Sequence, residues 1–472
     1  MNLQLLIVVL YFVLTIVIGI AASRKSHSSA SFTGAQLGVL MCVAAGTGEW
    51  LGGTSTTGVS EYGYTFGISG AWYTIANGLG VIILALFFAK LYRSLDTVTV
   101  PGIIGKYLGP NCRSVSSVIL VFVMLAVGTS QIIAAGTLGV SLLGLSFNTS
   151  VIVMGIGFIA YTILGGMVAV GYTNMLHLVV MYGGVIIALV AVHGQVGGWE
   201  GLVAQLPPEY LSPVNIGMPK VSSWVIASIL GACTAQAGIQ PLLAAKDVPT
   251  AKKAAIITAF IVAPFGIFTA LLGMAAKALY PDLASGKLAI STLMMGLNPL
   301  VGGLVMASIM AAILSTVSPI ILAAGTMLTK DLYQRARPGA GEEQINRTAR
   351  LTTALSGVVC TLLAVLLSDS AMILDMVYFA YSLRGALFVV LLLAIFWKRT
   401  SPAGAIWGML LTTGVGFFWI VYKSVTSQYP FHPAFSETYA AILAALLATV
   451  IVSVCQPLPQ CPQPSLRKEE QL

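Results

Sequence analysis

The chain is 472 residues long, 57% of it hydrophobic and only 8% charged, with a mean hydropathy of +0.94. A soluble protein needs roughly 25% charged residues to cover its surface, so this composition excludes one and makes lipid the solvent for most of the chain. The 23 Lys and Arg against 15 Asp and Glu give a net charge of +8, and the placement of those cations, taken up below, makes them a topology signal rather than a nucleic-acid footprint.

Windows of about 20 residues, the length that crosses a hydrocarbon core as helix, predict thirteen spans. The first, 3–21, carries Arg24 and Lys25 after its apolar run instead of before it, so it reads as a retained helix and not a signal peptide. The second to sixth follow at 36–58, 68–90, 114–143, 148–170 and 173–195. The seventh to eleventh run at 222–243, 254–280, 297–330, 349–368 and 371–396, and two more close the chain at 403–423 and 437–455. Between them lie a short basic linker from Arg335 to Arg350 and a Pro-rich tail, neither long enough for a soluble domain. The six cysteines include no C-x-x-C pair and read as small buried hydrophobes.

With the N-terminus outside, one side of the membrane collects all but five of the 23 cations; the other side has Lys220, Lys277, Lys287 and Lys423, and Arg384 lies within a span. The positive-inside rule makes the rich side cytoplasmic. A multi-pass protein of a plasma membrane, of the bacterial inner-membrane type, with its C-terminus in the cytoplasm is expected.

Two spans look broken. The second holds Gly46-Thr47-Gly48-Glu49-Trp50-Leu51-Gly52-Gly53-Thr54-Ser55-Thr56-Thr57-Gly58, and the seventh holds Gly231-Ala232-Cys233-Thr234-Ala235-Gln236-Ala237-Gly238-Ile239-Gln240-Pro241. Small residues also permit close helix packing, but these two segments occupy corresponding positions. Each opens a run of five spans, and an odd-numbered repeat inserts upside down relative to its partner. Interrupted helices at matching places in inverted halves point to a secondary-transporter site near the bilayer midplane. The organisation expected is an N-terminal extra helix and loop (1–35), a first repeat (36–195), a second repeat (222–396), two C-terminal helices (397–455) and a tail (456–472).

The ninth span supplies a third element. Ala312, Ser315 and Thr316 share one helical face, and Pro319 leaves the carbonyl of Ser315 without its helical partner. A carbonyl, two hydroxyls and carbonyls from the broken second span make a low-charge oxygen shell, suited to a hard monovalent cation and not to a transition metal. Ser and Thr in membrane helices also bond back to the i−4 carbonyl without any ligand.

Five stretches together resemble the sodium:solute symporter family: Thr99-Val100-Pro101-Gly102-Ile103-Ile104-Gly105-Lys106-Tyr107; Gly165-Gly166-Met167 through Thr173-Asn174; Gln240-Pro241 through Ala244-Ala245-Lys246-Asp247; Ala311 through Leu328-Thr329-Lys330-Asp331-Leu332-Tyr333; and Phe396-Trp397-Lys398-Arg399 through Ala405. The resemblance implies an all-α membrane protein with the leucine-transporter-type five-plus-five inverted repeat, one extra N-terminal and two extra C-terminal helices, and sodium-coupled uptake. It maps a sodium site onto Ala312, Ser315 and Thr316 with carbonyls of Ala44 and Thr47, Gly46 being an alternative donor. Two departures stand out. Asn174 replaces an Asp that ligates a second sodium ion in some members, which implies one sodium per solute, and Pro319 replaces a small polar residue.

Charges at membrane depth face cavities or partners. Arg384 is expected to receive a solute carboxylate through its planar fork, with Glu49, Trp50, Tyr73, Gln131, Gln236, Gln240 and Tyr381 shaping the pocket; the alternatives are that Glu49 and Arg384 neutralise each other or that Arg384 snorkels. His177 reads as a packed, hydrogen-bonded residue and Asp375 as an outer-end residue. The leading function is a sodium-driven symporter of a small polar solute, with sodium as the coupling ion and lipid and solute as partners. A single chain is expected to suffice. Proton coupling through Glu49 is the second transport reading. A membrane enzyme lacks any usable catalytic constellation, and a transporter-like sensor lacks a signalling domain.

Overall fold

The structure, a computed structural model, describes residues 2–25, 37–95, 97–367 and 372–456. The loop 26–35, the Gln36 that opens the predicted second span, the tail from 457 with Arg467 and Lys468, and the side chains of the Gly165–Val170 stretch lie outside the described residues. Among these residues the chain is helical throughout, and its one β-bridge pairs Leu37 with Ala245.

Among the described residues, eleven segments are long and apolar enough to cross a membrane. One of them, Thr54–Ser94, is 41 residues; at about 1.5 Å per residue it would be roughly twice the hydrocarbon thickness. Gly67, at φ +73°, ends its first helix, so it contains the latter half of the second span and the whole of the third. A shorter apolar helix, Phe147–Ile163, is the fifth. It runs without a break in backbone helicity into the sixth, through Gln195. That helix cannot be straight, because the Tyr161 and Thr173 hydroxyls lie 2.7 Å apart while twelve residues of helix advance about 18 Å. The chain doubles back there, and thirteen passes result, as the hydropathy predicts.

Helix starts follow local chemistry. Thr99 accepts from Gly102 N before Pro101, Asp247 from Thr250 N before Pro249, and Ser401 from Gly404 N before Pro402. These are N-cap residues with proline in the first turn, where its missing N–H costs nothing. Asp247 is partly exposed, and its bonds to Thr250 hold its carboxyl below the usual carboxylate range.

The two breaks form where expected. The second span is helical over Val39–Trp50, unwinds at Leu51 (φ −112°, ψ 74°) and resumes as π-helix over Thr54–Gly58 and α-helix over Val59–Phe66. The seventh is helical over Met218–Ala232 and Gln236–Leu243, with Cys233 to Ala235 between. The Leu37–Ala245 bridge and the Cys42 thiol on Pro241 O (3.4 Å) tie the inner halves of the two spans together. The first span is pinned to the sixth where the Tyr11 hydroxyl lies 2.5 Å from His177 Nδ1, so His177 is a buried, hydrogen-bonded residue.

Candidate functional site

Unwinding at Leu51 strands carbonyls. Leu51 N bonds to Thr47 O (3.0 Å), the last regular bond of the first half, so the carbonyls from Gly48 to Leu51 are helix-end orphans. The ninth span, helical over Pro299–Met327 and almost entirely buried, brings hydroxyls to them. Thr316 Oγ1 donates to Gly48 O, and Ser315 Oγ lies 3.4 Å from Leu51 O and 2.8 Å from Ala312 O. The carbonyls that meet Ser315 and Thr316 are therefore one turn beyond Ala44 and Thr47. Ala44 lies inside regular helix and Thr47 O accepts from Leu51 N, as Ala312, also inside regular helix, accepts from Ser315 Oγ; a carbonyl with one such bond keeps a second lone pair. Gly46 and Gly48 lie within the helix, which stops at Leu51 before Gly52 and Gly53.

The ninth span's proline has the consequence expected of it. Asn174 Nδ2 donates to Ser315 O at 3.4 Å, the carbonyl that Pro319 deprives of a backbone donor. A carboxylate could not donate there. The five oxygens of Gly48, Leu51, Ala312, Ser315 and Thr316 are all neutral, and among the described residues no group of three or more His, Cys, Asp or Glu could hold a metal. This donor set fits a hard monovalent cation.

On the other side of the same break Glu49 and Trp50 face the eleventh span, helical over Ile373–Phe396. Arg384 is fully buried, with Nη1 3.7 Å from Glu49 Oε1. Its guanidinium lies 3.6 Å from the Tyr381 ring centroid and 5.3 Å from that of Trp50. Two glycines of the seventh span allow this approach: an added Cβ would stand 2.9 Å from Arg384 Nε at Gly231 and 3.1 Å from Trp50 Cζ2 at Gly238. Thr234, in the break itself, donates to Arg384 O at 2.6 Å. Glu49, Trp50, Tyr381 and Arg384 are thus brought together between the two breaks.

The other predicted pocket residues have different work. Gln131 Oε1 accepts from Gly53 N at 2.6 Å and its Nε2 donates to Thr54 Oγ1 at 3.3 Å, so it caps the unwound turn. Tyr73 Oη lies 2.9 Å from Thr54 Oγ1 and 3.1 Å from Tyr381 Oη, at the pocket's edge. Gln236 faces away: it accepts from Val100 N at 2.7 Å and donates to Val98 O at 3.1 Å. Gln240 stands about 200° around its helix from Gly238, on the side away from Glu49.

Sequence reading missed Asn77. It lies one turn from Tyr73 on the third span, fully buried, and neither its Oδ1 nor its Nδ2 has a partner. Gly78 packs toward the eighth span and Gly80 toward the seventh, so Asn77, between them on the helix, points inward. A lone amide in an apolar span was the available signal.

Polar clusters stand at both ends. At one, Asp331 takes Arg113 Nε at 2.7 Å and Thr99 Oγ1 at 3.1 Å, beside the Gln236 clamp. At the other, Asp375 takes Tyr62 at 2.7 Å and Lys220 at 2.9 Å, Glu61 takes Ile373 N at 2.9 Å, and Trp224 stacks on Tyr378 with centroids 4.3 Å apart.

The family described as "Sodium:solute symporter family" matches residues 31–412. A sodium/mannose cotransporter of Bos taurus is 26% identical over 384 residues, covering 71% of this chain and 64% of its own length, so the chain spans less than two thirds of that relative. The high-affinity proline transporter PutP of Bacillus subtilis (strain 168) is 25% identical over 470 residues, covering 94% of this chain and 96% of the relative. A solved structure of a Na+-coupled sialic acid symporter, substrate-bound and outward-open, matches with a TM-score of 0.79 at 17% identity, over 98% of this chain and 100% of that one. The fold is the five-plus-five inverted repeat of leucine-transporter type.

Proposed function

The chain belongs to the sodium:solute symporter family, and from that premise we propose that it imports a small polar solute together with sodium by alternating access, one sodium ion per solute. Sodium is the coupling ion. It binds the carbonyls of Gly48, Leu51 and Ala312 and the hydroxyls of Ser315 and Thr316. The solute binds across the break, among Glu49, Trp50, Asn77, Tyr381 and Arg384. The five-span repeats are residues 36–195 and 222–396, in a plasma membrane of bacterial inner-membrane type with the N-terminus outside.

One observation carries this reading: the segment Gly48 to Leu51 offers its carbonyls to the ninth span and its side chains to the eleventh. An ion held there orders the turn that carries Glu49 and Trp50, so each ligand raises the other's affinity by the same factor. The 1:1 ratio is supported by Asn174, whose amide is committed to Ser315 O as a donor. Uptake into proteoliposomes tests the whole. An inward sodium gradient is expected to drive accumulation, and equal uptake in sodium-free buffer under a pH gradient would replace sodium with protons at Glu49.

A further inference from the structure

We infer that the cargo is a small zwitterion, amino-acid-like, whose carboxylate takes Arg384 and whose ammonium takes Glu49, so that the solute opens and replaces the protein's own charge pair. This rests on the reading that solute binds between the two helix breaks.

The pair is close but unsatisfied. At 3.7 Å the contact between Arg384 Nη1 and Glu49 Oε1 is beyond hydrogen-bond distance, and none of Arg384 Nε, Nη1 or Nη2 meets an acceptor at hydrogen-bonding geometry. Glu49 Oε2 is likewise without a donor. Both side chains are buried, 0% and 1% exposed. Charges removed from water keep their place only where hydrogen bonds and a counter-charge compensate them, and here the counter-charge is present while the hydrogen bonds are missing. A ligand supplies them.

The rings say which ligand. A hexose is commonly held by laying its apolar face on an open aromatic ring, and the rings here are engaged by Arg384 and by one another. Tyr381 has Arg384 3.6 Å from its centroid and Tyr73 stacked against it at 25°, Trp50 has Arg384 5.3 Å from its centroid, and Tyr378 is stacked on Trp224 at 10°. Held 3.6 Å from the Tyr381 ring centroid, the guanidinium keeps its N–H edge, the edge that a planar carboxylate fits. A bare carboxylate in that position would lie against Glu49, and a bare amine would lie against Arg384. A ligand carrying both charges side by side removes both conflicts.

The test is thermal stabilisation of the purified full chain in sodium chloride and in choline chloride. The probes are the proteinogenic L-amino acids and glycine betaine, the carboxylic acids and amines left by removing one charged group from each, and D-glucose, D-mannose and myo-inositol. At least one zwitterion is expected to stabilise the protein only with sodium, and removal of either charged group is expected to weaken its binding about 100-fold or more. A sodium-dependent shift from a sugar, a polyol or a one-charge analogue, with none from a zwitterion, overturns the inference and leaves the symport reading standing. No stabilisation by sodium itself overturns the reading beneath it, and sodium stabilisation with no response to any probe overturns the inference. The double variant Glu49→Gln with Arg384→Gln removes both charges, keeping the shape of residue 49 and shortening residue 384. It is expected to retain sodium stabilisation and lose the zwitterion's; unchanged zwitterion binding overturns the inference, and the wild-type comparisons decide the matter if this variant does not fold.

Discussion

Asn174 donates its amide to the carbonyl of Ser315 across 3.4 Å, filling the place that Pro319 leaves empty in the ninth span's own hydrogen-bond ladder. Asp at 174 would present a second acceptor to a carbonyl and a negative charge to the ion's surroundings. Wild-type uptake is expected to rise hyperbolically with sodium and to show a flux ratio of one sodium per solute. Asn174→Asp is expected to be less stable without sodium by about 1–3 kcal/mol, with sodium restoring more stability than it does in wild type. A flux ratio of two in the wild type would contradict the assignment.

Thr316 supplies a hydroxyl to the proposed ion site and its methyl to packing. Thr316→Ala is expected to weaken half-saturation by sodium by about 5- to 100-fold, the equivalent of about 1–3 kcal/mol, while leaving expression intact. Thr316→Ser keeps the oxygen and is expected to stay close to wild type. Sodium titration of the thermal midpoint distinguishes them.

Two neighbouring glycines test which turn donates its carbonyls. A Cβ at Gly48 would press on Asn174 Nδ2 and stand 2.8 Å from Ser315 O, whereas one at Gly46 would meet Thr258 Oγ1 at an ordinary 3.5 Å. Gly48→Ala is expected to cost about 1–3 kcal/mol through overpacking and to impair sodium binding. Gly46→Ala is expected to be tolerated in both measurements; the reverse pattern would return the site to the turn of Ala44 and Thr47.

Gln131 satisfies Gly53 N in the unwound turn. Gln131→Ala leaves that buried N–H without a partner, at about 1–3 kcal/mol. Because the turn carries both sites, sodium and solute affinity are expected to fall together, whereas a residue lining the solute pocket alone would affect the solute first. Isothermal titration of each ligand separates the two outcomes.

The Asp331 cluster, the proposed inner barrier, can be weakened without touching either site. Asp331→Asn removes the charge that holds Arg113 and Thr99, and the population is expected to shift toward an inward-open form. A cysteine introduced at Val98, which lines a cavity of about 480 Å³ with Thr97, Thr99 and Arg113, should then react faster with a water-soluble thiol reagent applied from the cytoplasmic side. An unchanged rate would remove Asp331 from the barrier.

The sequence alone determined the solvent, the passes, the basic side and the two interrupted spans, because burial in lipid and the rules of helix breaking act on composition and on local spacing. It also determined that Pro319 frees a carbonyl and that Ser315 and Thr316 share a face. Only the tertiary structure decided which carbonyls meet them, since Leu51 contributes a backbone oxygen that no side chain advertises and the helix ends one turn later than its glycines suggest. The same holds for the amides. Gln131, Gln236 and Asn77 are alike in sequence, each a polar residue in an apolar run, and only packing assigns the first to capping a turn, ties the second to Val98 and Val100, and buries the third with no partner.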